Sequence, residues 1–355
     1  MRILHIAETF EGASGVATFA RELDLALQAH GVESRVCKSL EFRVERVESL
    51  ELGDAWRPDI VHIHGLWLPL LHKAAVWARA KGTPVVWSTH GMTAPWSMHH
   101  KWWKKYPAWW LYQKRDLKCA AAIHCTTELE AGWNKALGFT NCFIAPLGTR
   151  ENQFHSPTPT HNSNHTLLFV GRIYPVKGLV NLIKAWSIVN SQLTTLNSKL
   201  ATEHWRLRIV GPDQAGHQAE LEKLVAELGL GDSVEFPGPK FGADLSAEYD
   251  QCDCLVLPSF TENFGATVVD AMAHSKPCIA STFTPWLELR DRGCGWWVSN
   301  EPQELAAAIS EMVSVGDATR REMGAKGRGL VEAKYTWSAV ADTMLAKYRE
   351  LVASR

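Results

Sequence analysis

The alternation of short apolar runs with helical segments is the feature that most constrains how this chain folds. In the first half, runs of strand length, beginning with Ile3 to Ala7, are each followed by a turn and a helical period. The helical segment Val16 to His30 ends at Gly31, a typical helix C-cap. Strands that alternate with helices form a parallel sheet covered by helices on both faces. The sequence therefore predicts a doubly wound α/β domain.

The same alternation starts afresh after a polar connector. Residues 151–165 are rich in Pro, Asn, Ser and His and show no apolar period, which is typical of a linker. With 355 residues the chain has room for two domains of ordinary size. We expect a Rossmann-like domain over 1–150, a second over 166–335, and a C-terminal helix over 336–355 that packs back across the domains. Two such domains facing each other would enclose a central cleft at the carboxyl edges of their strands.

Composition argues against several classes of protein. A formal net charge of -1 gives no global reason to expect a nucleic-acid partner. The sequence contains no run of 18 apolar residues, and its N-terminus does not have the pattern of a signal peptide. The eight cysteines are scattered through apolar runs, which favours reduced core thiols. We expect a cytoplasmic protein that does not bind nucleic acid.

The stretch from Leu255 to Pro277 has the pattern strand, loop, helix. The loop carries Glu262, and the helix opens near Gly265 with Asp270 in its second turn. If the interval between the two acids were wholly helical, it would span roughly 12 Å, enough for a sugar at one end and a ribose at the other. Taken alone, this spacing would indicate only a helix-end acid and a solvated aspartate.

The start of that helix suits a diphosphate. Asn263, Phe264 and Gly265 lead into it, and the first amides of a helix are donors backed by the positive end of the helix dipole. We expect these residues to lie against a nucleotide diphosphate.

Two cations follow the first strand of the second series, at Arg172 and Lys177. Fixed cations stabilise a leaving diphosphate strongly in a water-poor site, and two are needed where no metal helps. A lysine at a helix N-terminus opposes the helix dipole. This local conflict favours a functional role over a surface one.

Taken together, these elements, within residues 166–290, resemble family 4 of the retaining glycosyltransferases, the group 1 enzymes of GT-B fold. That family has two acids separated by seven residues, usually both Glu, opening as Glu-x-Phe-Gly and preceded by Gly-Arg-x4-Lys-Gly. The resemblance implies that Glu262 binds hydroxyls of the donor sugar and Asp270 the ribose diol, while Arg172 and Lys177 stabilise the leaving phosphates. Asp270 is one methylene shorter than the usual glutamate, so ribose binding would need a closer backbone or an intervening water.

Glycine and proline turns complete the resemblance. Gly211 follows a buried strand, and the loop with Pro239 and Lys240 occupies the place where the family contacts the nucleotide base. Alone, these are ordinary turn signals. Gly12 and Gly15 lie after the first strand, where the family has a glycine-rich loop that suits close approach of a phosphate. Their spacing is not GxGxxG, which disfavours a dinucleotide-binding dehydrogenase.

Three histidines of the first half are candidate site residues. His90 follows the strand Val85 to Thr89 and resembles the family's histidine near the transferred sugar; a structural histidine is the alternative. His62 and His64 share one sheet face, but no Cys or carboxylate lies beside them in the sequence, so a structural role is favoured over a metal site. We expect neither a metal nor another cofactor.

A segment over 95–110 places lysines beside tryptophans. The residues concerned are Trp102, Trp103, Lys104 and Lys105. This combination is typical of helices that dock on anionic membrane surfaces. The alternative is that the tryptophans pack the domain core, and Pro107 is expected to limit any helix. Trp67, in the sequence His-Gly-Leu-Trp, is a second candidate on the acceptor side.

The resemblance implies a retaining, metal-independent hexosyltransferase of surface polysaccharide or lipopolysaccharide synthesis. It would move a sugar from a UDP- or GDP-sugar to a glycan or lipid-linked acceptor, at the inner face of the plasma membrane. In the family, the leaving phosphate accepts the acceptor's proton, so no protein nucleophile is required. Two alternatives stay open: a nucleotide-sugar epimerase or phosphorylase of the same fold, and a catalytically weakened glycan-binding subunit, which the shortened Asp270 suggests.

Overall fold

The computed structural model describes residues 1–8, 15–38, 56–149, 164–195 and 204–354. The chain divides into two compact units, Met1–Gly148 with Lys334–Arg355, and Thr149–Ala333. Gly12 and residues 150–163, which include most of the predicted linker, lie outside the described residues.

The first unit is built on a parallel sheet. Its strands among the described residues are β1 (Arg2–Ala7), β2 (Glu33–Lys38), β3 (Ile60–His64), β4 (Val85–Ser88), β5 (Ala122–Cys125) and β6 (Cys142–Ile144). They lie in the order β2-β1-β3-β4-β5-β6. Helices of this unit are α1 (Gly15–Ala29), α2 (Pro69–Ala80), α3 (Pro95–His99), α4 (Trp102–Ala108), α5 (Lys114–Lys118) and α6 (Glu128–Ala136), with a π-helical turn, Trp109–Gln113, before α5.

Burial in this sheet follows from cover on both faces. Every residue of β3 is buried, as expected of a parallel strand between two helical layers. β1 and β3 are neighbours although β2 intervenes in the chain, and His5 pairs with His62 across them. The winding therefore reverses between β1 and β3, and doubly wound sheets bind ligands beyond the carboxyl ends of the strands at such a switch point.

The second unit is also built on a parallel sheet. Its described strands are β7 (Asn164–Val170), β8 (His204–Val210), β9 (Val234–Gly238), β10 (Cys254–Leu257), β11 (Cys278–Ser281) and β12 (Gly295–Val298), in the order β12-β11-β10-β7-β8-β9. Its helices are α7 (Leu179–Thr195), α8 (His217–Glu227), α9 (Gly242–Gln251), α10 (Ala266–Ala273), α11 (Glu288–Asp291), α12 (Pro302–Ser314) and α13 (Asp317–Lys334). Here the switch point lies between β7 and β10, where Leu167 pairs with Cys254.

The last helix, α14 (Trp337–Ala353), belongs to the first unit. Thr336 caps it, because its side chain accepts from Ala339 N at 3.1 Å. Trp337 and Tyr348 are buried in a core shared with Phe19 of α1. The predicted C-terminal helix thus completes the core of the first unit.

The sequence misjudged Pro107. The proline was expected to limit any helix, yet it lies inside α4. The next turn, Trp109–Gln113, is π-helical, a widened turn found as an insertion in α-helices. The helical path therefore continues beyond the proline, with altered spacing.

Two expectations from composition concern the chain as a whole. All eight cysteines lie in the described part of the chain and are free; six are buried, as expected of core thiols, whereas Cys142 is half-buried and Cys119 is exposed. Among the helices described, none combines the length and the apolarity needed to cross a bilayer.

Candidate active site

Two of the predicted residues of the second unit meet beyond the switch point of its sheet. Lys177 Nζ lies 2.5 Å from Glu262 Oε2, and Ser259 Oγ donates to the same oxygen at 3.4 Å. The side chains of Lys177 and Glu262 are 14% and 19% exposed. Because both charges are largely removed from water, each is compensated mainly by the other. An incoming ligand would therefore find one cation and one anion already desolvated and aligned.

Close backbone packing brings these two side chains together. Gly178 follows Lys177 with a φ of 71°, and a Cβ at Gly178 would collide with the carbonyl oxygen of Pro258. Phe260 N donates to Val176 O at 2.9 Å. Only glycine combines a positive φ with such an approach. Lys177 lies two residues before α7 begins at Leu179, so it stands beside the N-terminus of that helix rather than inside its first turn.

The loop that carries Glu262 is also held by residues that the sequence did not single out. Trp286 Nε1 donates to Phe264 O at 2.5 Å, and Ser281 Oγ donates to Ser259 O at 2.6 Å. Ser281 ends the neighbouring strand β11, and Trp286 follows shortly after it. One signal in the sequence could have indicated Ser281 and Trp286. Both lie at or after the end of a strand, and the carboxyl ends of parallel strands meet at one edge of the sheet.

Gly265 marks the start of the helix after this loop. Its φ is 80°, and a Cβ would lie 2.9 Å from Leu257 Cδ2, 2.9 Å from Trp286 Nε1 and 3.3 Å from Glu262 Cγ. α10 begins at the next residue. The interval from Glu262 to Asp270 is therefore half loop, and the length estimated for a continuous helix does not apply.

Asp270 lies partly buried in the second turn of α10. Burial raises its pKa to about 7. Burial and the nearby charge of Asp270 raise the pKa of the Tyr249 hydroxyl, whose oxygen has no hydrogen-bond partner among the described atoms. Asp270 thus changes its charge near neutral pH, a property that spacing in the sequence does not show.

Three other predicted residues lie on the same side of this sheet. Arg172 is exposed, and its Nη1 donates to Gln214 Oε1 at 2.9 Å. Asn263 is half-buried, and Phe264 is buried with its ring edge-on to Trp286 at 5.4 Å. Arg172 therefore has a partner of its own and is not part of the close pair.

The loops after β7, β8 and β9 lie side by side. A Cβ at Gly211 would collide with the carbonyl oxygen of Gly171, and Gly211 N donates to Gly238 O at 3.1 Å. Pro239, which is exposed, and Lys240, which is half-buried, follow directly. The predicted glycine at 211 is thus required by the approach of neighbouring backbones.

In the first unit, His90 follows β4 with a φ of 49°, a conformation that residues other than glycine rarely adopt. Glu130 holds the loop: Oε1 accepts from Thr89 Oγ1 at 2.7 Å and from Gly91 N at 2.5 Å, and Oε2 accepts from Thr126 N at 2.7 Å. Burial alone would raise the pKa of Glu130, but these bonds hold it below its ordinary value. Burial lowers the pKa of His90 to about 4, so its imidazole is neutral at pH 7.

His90 is the outer member of a histidine cluster. His64 Nδ1 lies 3.3 Å from His90 Nε2, and His5 Nδ1 lies 2.9 Å from His64 Nε2. The rings of His62 and His64 are 4.1 Å apart. The sequence indicated the pair on β3 but missed His5 on β1. One ligand atom from each of His5, His62 and His64 lies within 4.8 Å of the others.

The aromatic and basic segment is divided between surface and core. We call its exposed apolar residues the tryptophan face: Trp96, Trp102, Trp103, Trp110 and Leu111. Trp102 and Trp103 are 56% and 58% exposed, whereas Trp109 is buried. Lys104 is exposed beside them. The predicted alternative of core packing therefore fails for most of these rings and holds for Trp109.

Trp67 and Lys105 do not lie on the tryptophan face. Trp67 N donates to Gln113 Oε1 at 2.9 Å, and its carbonyl accepts from Tyr112 Oη at 2.5 Å. Lys105 Nζ lies 5.6 Å from the centre of a Trp67 ring and donates to Ser97 O. Both residues are half-buried. Lys105 therefore lies against Trp67, the separate candidate on the acceptor side.

The sequence matches two glycosyltransferase families. Residues 151–330 match the family described as glycosyl transferases group 1, and residues 38–142 match the glycosyl transferase 4-like domain. The chain is 32% identical over 194 residues to the D-inositol 3-phosphate glycosyltransferase of Stackebrandtia nassauensis, a match that covers 53% of this chain and 42% of that protein. The chain thus spans less than half of the length of the curated relatives it matches first.

Solved structures show the fold over the whole chain. HepE of Anabaena, in complex with UDP, has 17% identity, a TM-score of 0.76 and coverage of 99% of this chain and 100% of that one. WaaG, a glycosyltransferase involved in lipopolysaccharide biosynthesis, has 15% identity, a TM-score of 0.67 and coverage of 96% and 98%. The fold is therefore GT-B, with two Rossmann-like domains.

Proposed function

Because the chain belongs to the glycosyl transferases group 1 family, we propose that it is a retaining, metal-independent hexosyltransferase. It takes a hexose from a UDP- or GDP-sugar and transfers it to a glycan or lipid-linked saccharide in surface polysaccharide synthesis. It acts in the cytoplasm, at the inner face of the plasma membrane. The single observation that carries the donor side is the desolvated pair of Lys177 and Glu262 beside the start of α10.

Four parts of the donor are bound by different residues. Glu262 accepts hydrogen bonds from hydroxyls of the sugar, the amides at the start of α10 receive the diphosphate, and the ionised form of Asp270 accepts from the ribose. Pro239 and Lys240 lie along the base. The solved relative HepE binds UDP, which supports a uridine nucleotide as the first to test.

Catalysis rests on charge rather than on a protein nucleophile. As the bond from the anomeric carbon to the phosphate breaks, negative charge develops on the leaving diphosphate, and Lys177 and Arg172 stabilise it. The leaving phosphate accepts the proton of the acceptor hydroxyl on the same face, so the configuration is retained. His90 contacts the transferred sugar, as the family resemblance implies, and neither a metal nor another cofactor is used.

The donor-side test compares charge deletions with matched surface changes. Lys177→Ala and Glu262→Ala should each lower the transfer rate by at least 10²–10³-fold, the range for losing one stabilising group in a desolvated site. Lys184→Ala and Glu222→Ala, which remove exposed charges from α7 and α8, should retain the rate. Near-normal transfer by either site variant would refute the assigned roles.

The assay follows release of nucleotide from UDP-glucose or GDP-mannose, with and without acceptor. D-inositol 3-phosphate, named for the relative from Stackebrandtia nassauensis, and a lipopolysaccharide core preparation are the first acceptors. Turnover should survive excess EDTA, and NMR of the product should show the anomeric configuration of the donor. A changed sugar without any acceptor would indicate an epimerase, and nucleotide binding without transfer would indicate a glycan-binding subunit.

Membrane contact is proposed through the tryptophan face. The exposed rings offer apolar surface at headgroup depth, and Lys104 adds attraction to anionic lipid. The protein should co-sediment with vesicles that contain phosphatidylglycerol at low salt. Replacing Trp102 and Trp103 together by Ser should weaken this binding, while phosphatidylcholine vesicles should bind poorly. Absence of co-sedimentation at low salt would refute the membrane proposal and leave the donor site unaffected.

A further inference from the structure

A hydrogen-bonded chain of fixed direction runs across the sheet of the first unit, from β5 through β4 and β3 to α14. His124 Nε2 lies 2.8 Å from Ala145 O, and a carbonyl can only accept, so this nitrogen carries the proton. Burial lowers the pKa of His124, and the neutral ring must accept at Nδ1, which lies 2.7 Å from Ser88 Oγ. Ser88 therefore donates to His124.

The donor and acceptor roles of Ser88 and His62 then fix the hydrogen bond to the C-terminal helix. Since Ser88 donates its only proton, its oxygen accepts from His62 Nε2 at 2.6 Å. His62 is also neutral, because burial holds its pKa well below the ordinary value, and its Nδ1 accepts from Tyr348 Oη at 2.6 Å. Both nitrogens of His62 are thus satisfied in one tautomer. This leaves His62 no lone pair for a metal.

A second chain, formed by His5, His64 and His90, leads outward. Its contacts join His5 Nδ1 to His64 Nε2 at 2.9 Å and His64 Nδ1 to His90 Nε2 at 3.3 Å. In one direction, His64 Nδ1 donates to His90 Nε2, and His90 carries its own proton on Nδ1. In the other direction, His90 Nε2 donates to His64 Nδ1 and His64 Nε2 donates to His5 Nδ1. His90 then has an unprotonated Nδ1, and His5 carries a buried N–H at Nε2.

Burial selects between these directions. His5 Nε2 is buried and has no partner among the described atoms. Proteins leave buried donors unpaired less often than buried acceptors, so this nitrogen is the unprotonated one. The first direction therefore holds, with the proton of His90 on Nδ1.

We propose that His64 and His5 are positioning residues that hold His90 as a hydrogen-bond donor at Nδ1. The donor would face a hydroxyl or ring oxygen of the sugar, which is the part of the inference that rests on the proposed function. The tautomer itself does not depend on that function, because contacts within the unliganded fold set it.

The direct test is a long-range ¹H–¹⁵N spectrum of the unliganded protein labelled with ¹⁵N-histidine. The signals of His90 are identified by their loss in His90→Gln. We expect the proton on Nδ1 and a bare Nε2. A proton on Nε2 of His90 would overturn the proposal whether or not the protein transfers sugar, and so would stoichiometric zinc in the purified protein, since a metal would occupy the lone pairs of the cluster.

Variants separate positioning from general support of the fold. His64→Leu removes the donor to His90 and should give a mixed tautomer and a transfer rate lower by about tenfold, the loss expected for one hydrogen bond to the reacting sugar. His64→Asn, whose amide N–H can replace Nδ1–H, should recover most of both. An unchanged His90 tautomer in His64→Leu would overturn the assigned role.

Tyr348→Phe is the matched control. It removes a hydrogen bond from the same buried cluster without touching the second chain. We expect a lower melting temperature but an unchanged His90 tautomer and transfer rate. If this control shifted the tautomer as much as His64→Leu, the effect would be one of packing and the proposal would fail.

Discussion

Asp270→Asn should change how the stability of this protein depends on pH. Burial raises the pKa of Asp270 from 3.8 to about 7, so the native state keeps a proton that the unfolded chain has lost. For a raised carboxyl pKa, the stabilisation is complete below pH 4 and is lost as the pH rises through 7. Between pH 5 and 7 the native form loses about 1.4 kcal/mol per pH unit. The total from pH 5 to 9 is about 2–3 kcal/mol.

Asparagine has the shape of the protonated carboxyl and does not titrate. The variant should therefore match the wild type at pH 5 and exceed it at pH 9 by about 2–3 kcal/mol, which corresponds to roughly 4–12 °C in melting temperature for a domain of 150–250 residues. The assay is thermal unfolding at half-unit steps of pH, with Asp232→Asn, at an exposed position, as control. Parallel curves for wild type and Asp270→Asn would refute the argument.

Nucleotide binding should respond to the same carboxyl. Ribose hydroxyls donate to the ionised form, so UDP binding would release a proton, and UDP affinity should rise up to tenfold per pH unit below about pH 7. Asp270→Asn should abolish this dependence. Calorimetric titration with UDP in two buffers of different ionisation enthalpy measures the proton release. Binding without any proton release would separate the ribose contact from Asp270.

Three further changes test the architecture of the sites by thermal unfolding. Gly178→Ala should lower the free energy of unfolding by more than about 1 kcal/mol, because a Cβ would meet the Pro258 carbonyl at positive φ. Gly229→Ala, at a glycine with positive φ but open space around it, should lower it less. Equal losses in the two variants would contradict the packing argument. Trp286→Phe removes the hydrogen bond to Phe264 O and should lower the free energy of unfolding by about 1 kcal/mol. It should also weaken UDP binding. Unaltered UDP binding would show that this hydrogen bond does not shape the site. Glu130→Gln replaces an acceptor of backbone and hydroxyl protons by an amide with donors of its own, and should destabilise by at least about 2 kcal/mol; a smaller loss would mean that the loop of His90 is held by other contacts.

Many strands and helices of both units could be predicted from the sequence, because the spacing of apolar residues that marks each element lies within that element. The predicted helix Val16 to His30 is α1 (Gly15–Ala29), and the strand predicted at the start of the stretch from Leu255 to Pro277 is β10 (Cys254–Leu257). The region after Ser281 was less readable, and β12 and the helices α11 to α13 were not predicted. β12 (Gly295–Val298) is an edge strand of half-buried residues that begins at a glycine, which reads as a turn signal rather than as the start of a strand.

The two candidate sites differ in how far the sequence can reveal them, and the reason is the length of chain that builds each. On the donor side, Gly178 and Gly265 are fixed by their own backbone angles, so the residues beside them, Lys177 and Glu262, stand next to visible glycines. The histidine cluster has no such marker. Its histidines come from β1, β3, the turn after β4 and β5, and their partner Tyr348 comes from α14. The direction of the hydrogen bonds between these side chains defines their chemistry. A single substitution far along the chain, such as Tyr348→Phe, therefore acts on the interior of the first unit, which no spacing within the first half of the sequence could have indicated.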